Sequence, residues 1–147
     1  GGYGPEKDSC IDKVTNSEVL RDVVEFYDVG SWSEIPNVYK RSDVLINFAS
    51  FSPGAGVILS AVASGMGVIS TITVNASRHF IIDGYNGFLV NDEQSLSAAI
   101  EKYILDKDLV SQHSEINKEI AKKQLTFRSH LNDFNEILES NLSIKIA

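Results

Sequence analysis

Residues Ser50 to Ser70 read SFSPGAGVILSAVASGMGVIS, a loop of small residues that runs into an apolar segment, a glycine stop and a β-prone run. Just ahead of it, Val44-Leu45-Ile46-Asn47-Phe48 is short, apolar and β-prone, as a buried parallel strand should be. Val57 to Ala63 is apolar on nearly every side, which predicts a helix buried on both flanks. Gly65 stands where a helix C′ residue belongs, and Val68-Ile69-Ser70-Thr71-Ile72 supplies the next strand. The unit is strand, loop, helix, strand. It predicts an α/β fold with a Rossmann-like, doubly wound parallel sheet.

Sheets of this kind bind ligands at the carboxyl ends of their strands, where a loop brings backbone N–H groups to a helix N-terminus. Phe51 to Gly56 occupies that place. Ser52 suits a helix N-cap and Pro53 the first helical position, whereas Gly54 and Gly56 each cost about 1 kcal/mol of helix propensity. Close approach of a phosphate or sugar to bare backbone explains those glycines, and so does a tight turn or close helix packing. Gly56, Ser60 and Ser64 recur every fourth residue and form one small, mildly polar stripe, which serves either a ligand or a closely packed neighbour.

Outward from this unit, helices and strands continue to alternate. Pro5 to Asn16 predicts a short helix with Cys10, Ile11 and Val14 on one side, Val23-Val24-Glu25-Phe26-Tyr27 a strand, and Ser33 to Arg41 another short helix. Thr73 to His79 reads as a loop after the strand, carrying Arg78 and His79. Asp83-Gly84 and Asn86-Gly87 are turn dipeptides around a short strand, Phe88-Leu89-Val90. From Asp92 onward three apolar stripes at helical spacing follow: Leu96, Ala99, Ile100, Tyr103 and Ile104; then Leu109, Val110, Ile116, Ile120 and Ala121; then Phe127, Leu131, Phe134 and Leu138. Asp106-Lys107-Asp108 between the first two reads as a solvated turn. His113 and His130 have no second ligand at metal spacing, so no metal is assigned.

At 147 residues and 43% hydrophobic, the chain can bury the core of one domain spanning 1–147. Its net charge of −7, from 13 basic and 20 acidic side chains without a basic cluster, argues against nucleic acid as a partner. A single cysteine, Cys10, fits a small apolar residue in a reducing, cytoplasmic setting. The apolar runs fall short of the ~20 residues that span a bilayer. No G-x-S-x-G elbow is present, and Gly1-Gly2-Tyr3-Gly4 followed by Pro5 does not complete the nicotinamide-binding glycine fingerprint.

Several pieces in order carry a resemblance: Ile35-Pro36-Asn37-Val38-Tyr39 followed by Ser42-Asp43-Val44; Ala61-Val62-Ala63-Ser64-Gly65 running into Val68-Ile69-Ser70; and Asp83-Gly84-Tyr85-Asn86-Gly87-Phe88-Leu89-Val90. Continued by the helical segments Ser95 to Leu105 and Phe127 to Glu139, they resemble the C-terminal, donor-binding domain of GT-B glycosyltransferases of the group 1 kind (family four). The resemblance implies one half of a GT-B fold and a hexosyltransferase-like activity. Its donor is a nucleotide-diphosphate sugar, and its acceptor is a glycan, lipid or protein held by a separate N-terminal domain. It further implies retention of anomeric configuration, no essential metal, and no cofactor beyond the nucleotide sugar as substrate. The backbone at Gly54, Ala55, Gly56 and Val57 would face the diphosphate, Ser52 the donor sugar and Ser60 the ribose. Val29, Gly30 and Ser31 would take the nucleobase, with Trp32 as a stacking surface or simply an edge aromatic. Arg78 and His79 would lie near the phosphates or the cleft mouth. No catalytic residue is assigned.

The departures from that family pattern are specific. Two glutamates with seven residues between them fall here on Ser52 and Ser60, the proline expected after the helix-ending glycine is Gly67, and a glycine expected after the second strand falls on Asp28. A serine hydroxyl can still hydrogen-bond a sugar or ribose hydroxyl, but it carries no charge and reaches less far. Two functions of different class therefore stand: a working glycosyltransferase, or a catalytically inactive glycosyltransferase-like subunit that partners an active transferase. In the related domains a glycine turn like Gly1 to Pro5 follows a first strand. The resemblance thus implies a fragment that lacks that strand, with any membrane contact peripheral and at the inner face.

Overall fold

The computed structural model describes residues 4–27, 31–50 and 56–142. By contact the chain divides into two compact units, Gly1–Val38 and Tyr39–Ala147.

In the first unit the expected helix forms as α1 (Lys7–Thr15), which Asn16 ends by donating its N–H to the Asp12 carbonyl at 3.0 Å. Cys10 lies on it but is exposed, not a buried apolar residue. The strand expected at Val23–Tyr27 is absent. Arg21 N–H donates to Ser17 O at 3.2 Å, and Val23 and Val24 both donate to Leu20 O, at 3.1 and 2.9 Å. Helix-like local turns thus take the donors that a sheet ladder needs, and Val23 stays 75% exposed. Farther on, a 3-10 turn at Trp32–Glu34 leads into α2 (Ile35–Lys40), as the sequence predicts.

The second unit holds a parallel sheet in the order β1 (Val44–Asn47), β2 (Gly67–Thr71), β3 (Phe88–Val90). Its register explains the two-sided core. Leu45 pairs with Val68 on one face, and Ile46 pairs with Ile69, which pairs with Phe88, on the other. Helix α3 (Gly56–Ala63) and helix α4 (Asn75–Phe80) cover the first face through Ile58, Ala61, Val62, Val74 and Ala76. Helix α5 (Glu93–Leu105) covers the second, where Ile69, Phe88 and Val90 meet Ala99 and Tyr103. All five residues of β2 are buried. Helices on both faces of a parallel sheet make this the Rossmann-like α/β architecture that the sequence predicts. Each fully buried Ile or Val contributes about 1.5–3 kcal/mol.

Two element ends show how local chemistry fixes the boundaries. After α3, Gly65 adopts φ +70°, its N–H donates to Val62 O at 3.0 Å and the Met66 N–H to Ala61 O at 3.0 Å. This is a Schellman cap, and it needs a left-handed residue that glycine supplies without a Cβ penalty. At the start of α5, the Asp92 carboxylate accepts from Ser95 N at 2.7 Å while Ser95 Oγ accepts from Asp92 N, a reciprocal capping box.

Helix α6 (Lys107–Gln124) follows after a single residue, because Asp106 both ends α5 and caps α6 by accepting from Leu109 N at 3.1 Å. Asp106-Lys107-Asp108 is therefore a one-residue break between helices, shorter than a full turn. Leu109 and Val110 of α6 join the core on the α5 face, and Ile120 joins the other. Helix α7 (Phe127–Leu142) completes the described residues. None of the described helices is long and apolar enough to cross a membrane.

Candidate functional site

Chain direction places the carboxyl ends of β1 and β2 together, and there the structure assembles a cluster of hydroxyl and amide groups. Asn47, the last residue of β1, pairs in register with Ser70 of β2. Ser70 Oγ donates to the Asn47 carbonyl at 3.3 Å and receives the Asn47 amide at 3.3 Å and the Ser77 hydroxyl at 2.7 Å. Ser70 and Ser77 are wholly buried. One residue further, Thr71 Oγ1 donates to the Ala49 carbonyl at 2.5 Å, and Thr73 Oγ1 donates to the same oxygen at 3.1 Å. Ala49 is the second residue of the connection to α3. The hydroxyls of Thr71, which ends β2, and of Thr73, just beyond it, thus both hold the Ala49–Ser50 peptide.

Thr71, Thr73, Ser77 and Asn47 are not among the site residues expected from the sequence. The signal was the run Ser70-Thr71-Ile72-Thr73 at the end of an otherwise apolar strand, polar groups where the strand leaves the core. The segment Thr73 to His79 is also not the loop expected. It is a tight turn, with Val74 N–H on Thr71 O at 3.2 Å, followed at once by α4.

Among the expected donor-site residues, Gly56, Val57 and Ser60 lie on α3, and all three are exposed. Gly56 has open space where a Cβ would stand, so packing does not demand a glycine there. Ser60 hydrogen-bonds the Tyr39 phenol, whose pKa is raised by burial and partly restored by that bond. It also stands on the rim of an open groove of about 620 Å³ with Phe80, Lys123, His130 and Asp133. Arg78 and His79 lie exposed on α4, and Arg78 Nη2 donates to Asn75 Oδ1 at 2.7 Å. Ser31, in the first unit, bonds Ser33 through the two hydroxyls at 2.8 Å and accepts from Ser33 N at 3.3 Å, so it caps the 3-10 turn. Val29, Gly30, Ser52, Gly54 and Ala55 lie outside the described residues.

At the opposite, amino end of the sheet, polar side chains are buried and paired. Asn86 and Asn117 are 0% exposed and His113 is 1% exposed. Tyr103 Oη lies 2.7 Å from His113 Nδ1, in hydrogen-bond reach. Burial pushes the Tyr103 phenol far up and holds the imidazole below its ordinary value. The departure at Gly67 has its cause here. A Cβ on Gly67 would lie 3.1 Å from the Tyr103 ring and 3.3 Å from Val44 Cγ2. The glycine makes room for the tyrosine.

The family described as Glycosyl transferases group 1 matches residues 1–124. No curated protein is matched by the chain. Among solved structures, the C-terminal domain of the group 1 family protein LpcC from Francisella tularensis is 24% identical with a TM-score of 0.69, covering 85% of this chain and 66% of that one. Alr3699/HepE from Anabaena, in complex with UDP and glucose, is 21% identical with a TM-score of 0.74, covering 92% of this chain and 37% of its own. The pneumococcal O-GlcNAc transferase GtfA, in complex with UDP and GlcNAc, is 17% identical with a TM-score of 0.76, over 96% of this chain and 28% of its own. The chain thus spans about two thirds of the first and little more than a third, or less, of the other two. The parallel sheet, the cluster at the carboxyl ends of its strands and the family match over residues 1–124 lead to one statement: the chain belongs to the group 1 glycosyl transferases.

Proposed function

We propose that this chain is the donor-binding part of a glycosyltransferase that takes a sugar from a nucleoside-diphosphate sugar and passes it to a glycan, lipid or protein acceptor. The observation that carries this reading is the family match over residues 1–124, on a fold shared with proteins solved with UDP and a sugar. The diphosphate lies against the backbone of Gly54, Ala55, Gly56 and Val57, where N–H groups at the start of α3 stabilise the charge that gathers as the sugar's C1–O bond breaks. Ser52 faces the sugar and Ser60 the ribose. Val29, Gly30 and Ser31 take the base, and Arg78 and His79 line the cleft mouth. Transfer retains the anomeric configuration and needs no metal ion, as the resemblance implies, and a separate domain of the same protein holds the acceptor. The work is done in the cytoplasm, against acceptors that are soluble or at the inner membrane face.

A second reading draws on one specific observation, the serines at positions 52 and 60. Without that charged pair the domain keeps its fold for binding or assembly and partners an active transferase. Nucleotide release separates the two. Full-length protein incubated with UDP-, GDP- and ADP-sugars and a cell extract as acceptor source releases nucleoside diphosphate if it is the enzyme. A folded, nucleotide-binding protein that releases none is the inactive partner.

A further inference from the structure

We infer that the open groove lined by α3, α7 and the ends of α4 and α6 is a binding site for a neutral oligosaccharide. Its volume of about 620 Å³ lies within the ~300–1,000 Å³ of ordinary ligand sites and gives room for more than one sugar ring. The site is separate from the donor chemistry proposed above and meets it only at Ser60, on the groove's rim.

Local structure brings the lining together. Ile58, Ala61 and Val62 take the core side of α3, which leaves Leu59, Ser60 and Ala63 to the groove. Phe80, the last residue of α4, packs against the core and also lines the groove. Lys123 and Gln124 come from the last turn of α6, and His130 and Asp133, three residues apart on α7, share a helix face.

These groups suit a sugar. Lys123, Gln124 and Asp133 make no side-chain hydrogen bond or ion pair among the described residues, so their capacity is open to a ligand. Asp133 accepts from hydroxyls, Lys123 donates to them and Gln124 does both, as the hydroxyls of a pyranose require. His130 Nδ1 donates to Thr126 O at 3.1 Å, which leaves Nε2 for a further hydroxyl. The Phe80 ring supplies the flat apolar surface that the C–H face of a sugar covers. Charge narrows the class. Lys123 and Asp133 cancel, so a phosphate or uronate gains at the lysine and loses at the carboxylate, whereas an uncharged hydroxyl bonds to either. An acyl chain would strip water from both charges and return no hydrogen bond.

The test applies the full-length protein to an array of neutral oligosaccharides of hexoses and N-acetylhexosamines, with phosphorylated and uronic-acid-containing ones beside them. The strongest ligand is then titrated by calorimetry against wild type, Asp133→Ala, Phe80→Leu and Lys123→Ala, with UDP, GDP and ADP in parallel. Asp133 is exposed, so Asp133→Ala folds whatever Phe80→Leu does to the core. We expect a neutral oligosaccharide to bind about tenfold more weakly to Asp133→Ala and about threefold more weakly to Phe80→Leu, with nucleotide affinity the same in both as in wild type. An array without a neutral ligand overturns the inference, and so does equal oligosaccharide affinity in wild type and Asp133→Ala, which puts the glycan elsewhere on the protein. Anionic ligands that weaken in Lys123→Ala and strengthen in Asp133→Ala make this an anion site and overturn it too. A protein that binds the oligosaccharide here and none of the three nucleotides overturns the donor reading alone.

Discussion

The side-chain amide of Asn86 donates to Oδ1 of Asn117 at 2.8 Å, and Asn117 returns its own amide to the Asn86 backbone carbonyl at 2.9 Å. Both residues are wholly buried. Asn117 also donates to Met66 O at 2.8 Å, while Asn86 donates to Phe80 O at 2.8 Å and accepts from Ile82 N at 2.7 Å. One amide pair thus ties the residue ahead of β2, the turn ahead of β3 and the middle of α6. Both protons of each amide are used and each Oδ1 accepts a bond, and such networks are costly to break in part.

Asn117→Ala strands the Met66 and Asn86 carbonyls and should cost about 3 kcal/mol, the sum of several buried bonds. Asn117→Asp should cost more, because it turns carboxylate oxygen toward two carbonyls. Urea denaturation of each variant checks this. A loss below about 1 kcal/mol for the alanine variant would contradict the network's role.

Stability should depend on pH through His113. Burial lowers the pKa of the folded imidazole below its ordinary 6.5, with the Gly84 carbonyl acting in the opposite direction. The unfolded chain therefore binds the proton more readily than the folded one. Stability is fully present above the unfolded value and falls as pH drops through it toward the folded value. Urea midpoints at about pH 5.5 and pH 7.5 should differ in the wild type, and by less in His113→Gln. Equal differences in both proteins would assign the titration elsewhere.

Gly67→Pro, which restores the family's usual residue, should destabilise this chain. The ring removes the N–H that donates to Asp43 O at 2.9 Å and drives atoms into Tyr103. The cost should be about 3 kcal/mol, and Tyr103→Phe should recover little of it, because the ring carbon Cζ stays in place. Thermal melts decide. An unchanged melting temperature would mean that β2 shifts freely to accept a side chain.

Ser60→Ala in the full-length protein should weaken nucleoside-diphosphate binding about fivefold, the equivalent of one neutral hydrogen bond of about 1 kcal/mol. Ser60 also bonds Tyr39, so a melting curve must accompany the titration. Unchanged affinity would remove the ribose role.

The apolar pattern made most of the second unit legible. Val44 to Asn47, Gly56 to Ala63, Gly65 and Phe88 to Val90 all fall where period and turn chemistry put them. Val23–Tyr27 misled because β-branched and aromatic residues mark a strand only when a neighbour offers a ladder. Asn86 read as a turn residue, because its dipeptide with Gly87 is equally good turn chemistry, and its burial depends on a partner 31 positions away. Asn117 and His113 were visible as polar residues four apart on the apolar face of α6, between Leu109 and Ile120. The threonine grip on Ala49 joins residues 22 and 24 positions apart. The polar run Ser70 to Thr73 marks the end of the strand, but no local pattern encodes its partner on Ala49, so the contact itself comes only from the fold.

The measurement that bears most directly on the donor-binding reading is calorimetric titration of the folded full-length protein with UDP, GDP and ADP. Binding of one of them in the micromolar range, about −8 kcal/mol, is the predicted result and names the base of the donor. A protein that is folded by circular dichroism and binds none of the three at millimolar nucleotide would contradict the account.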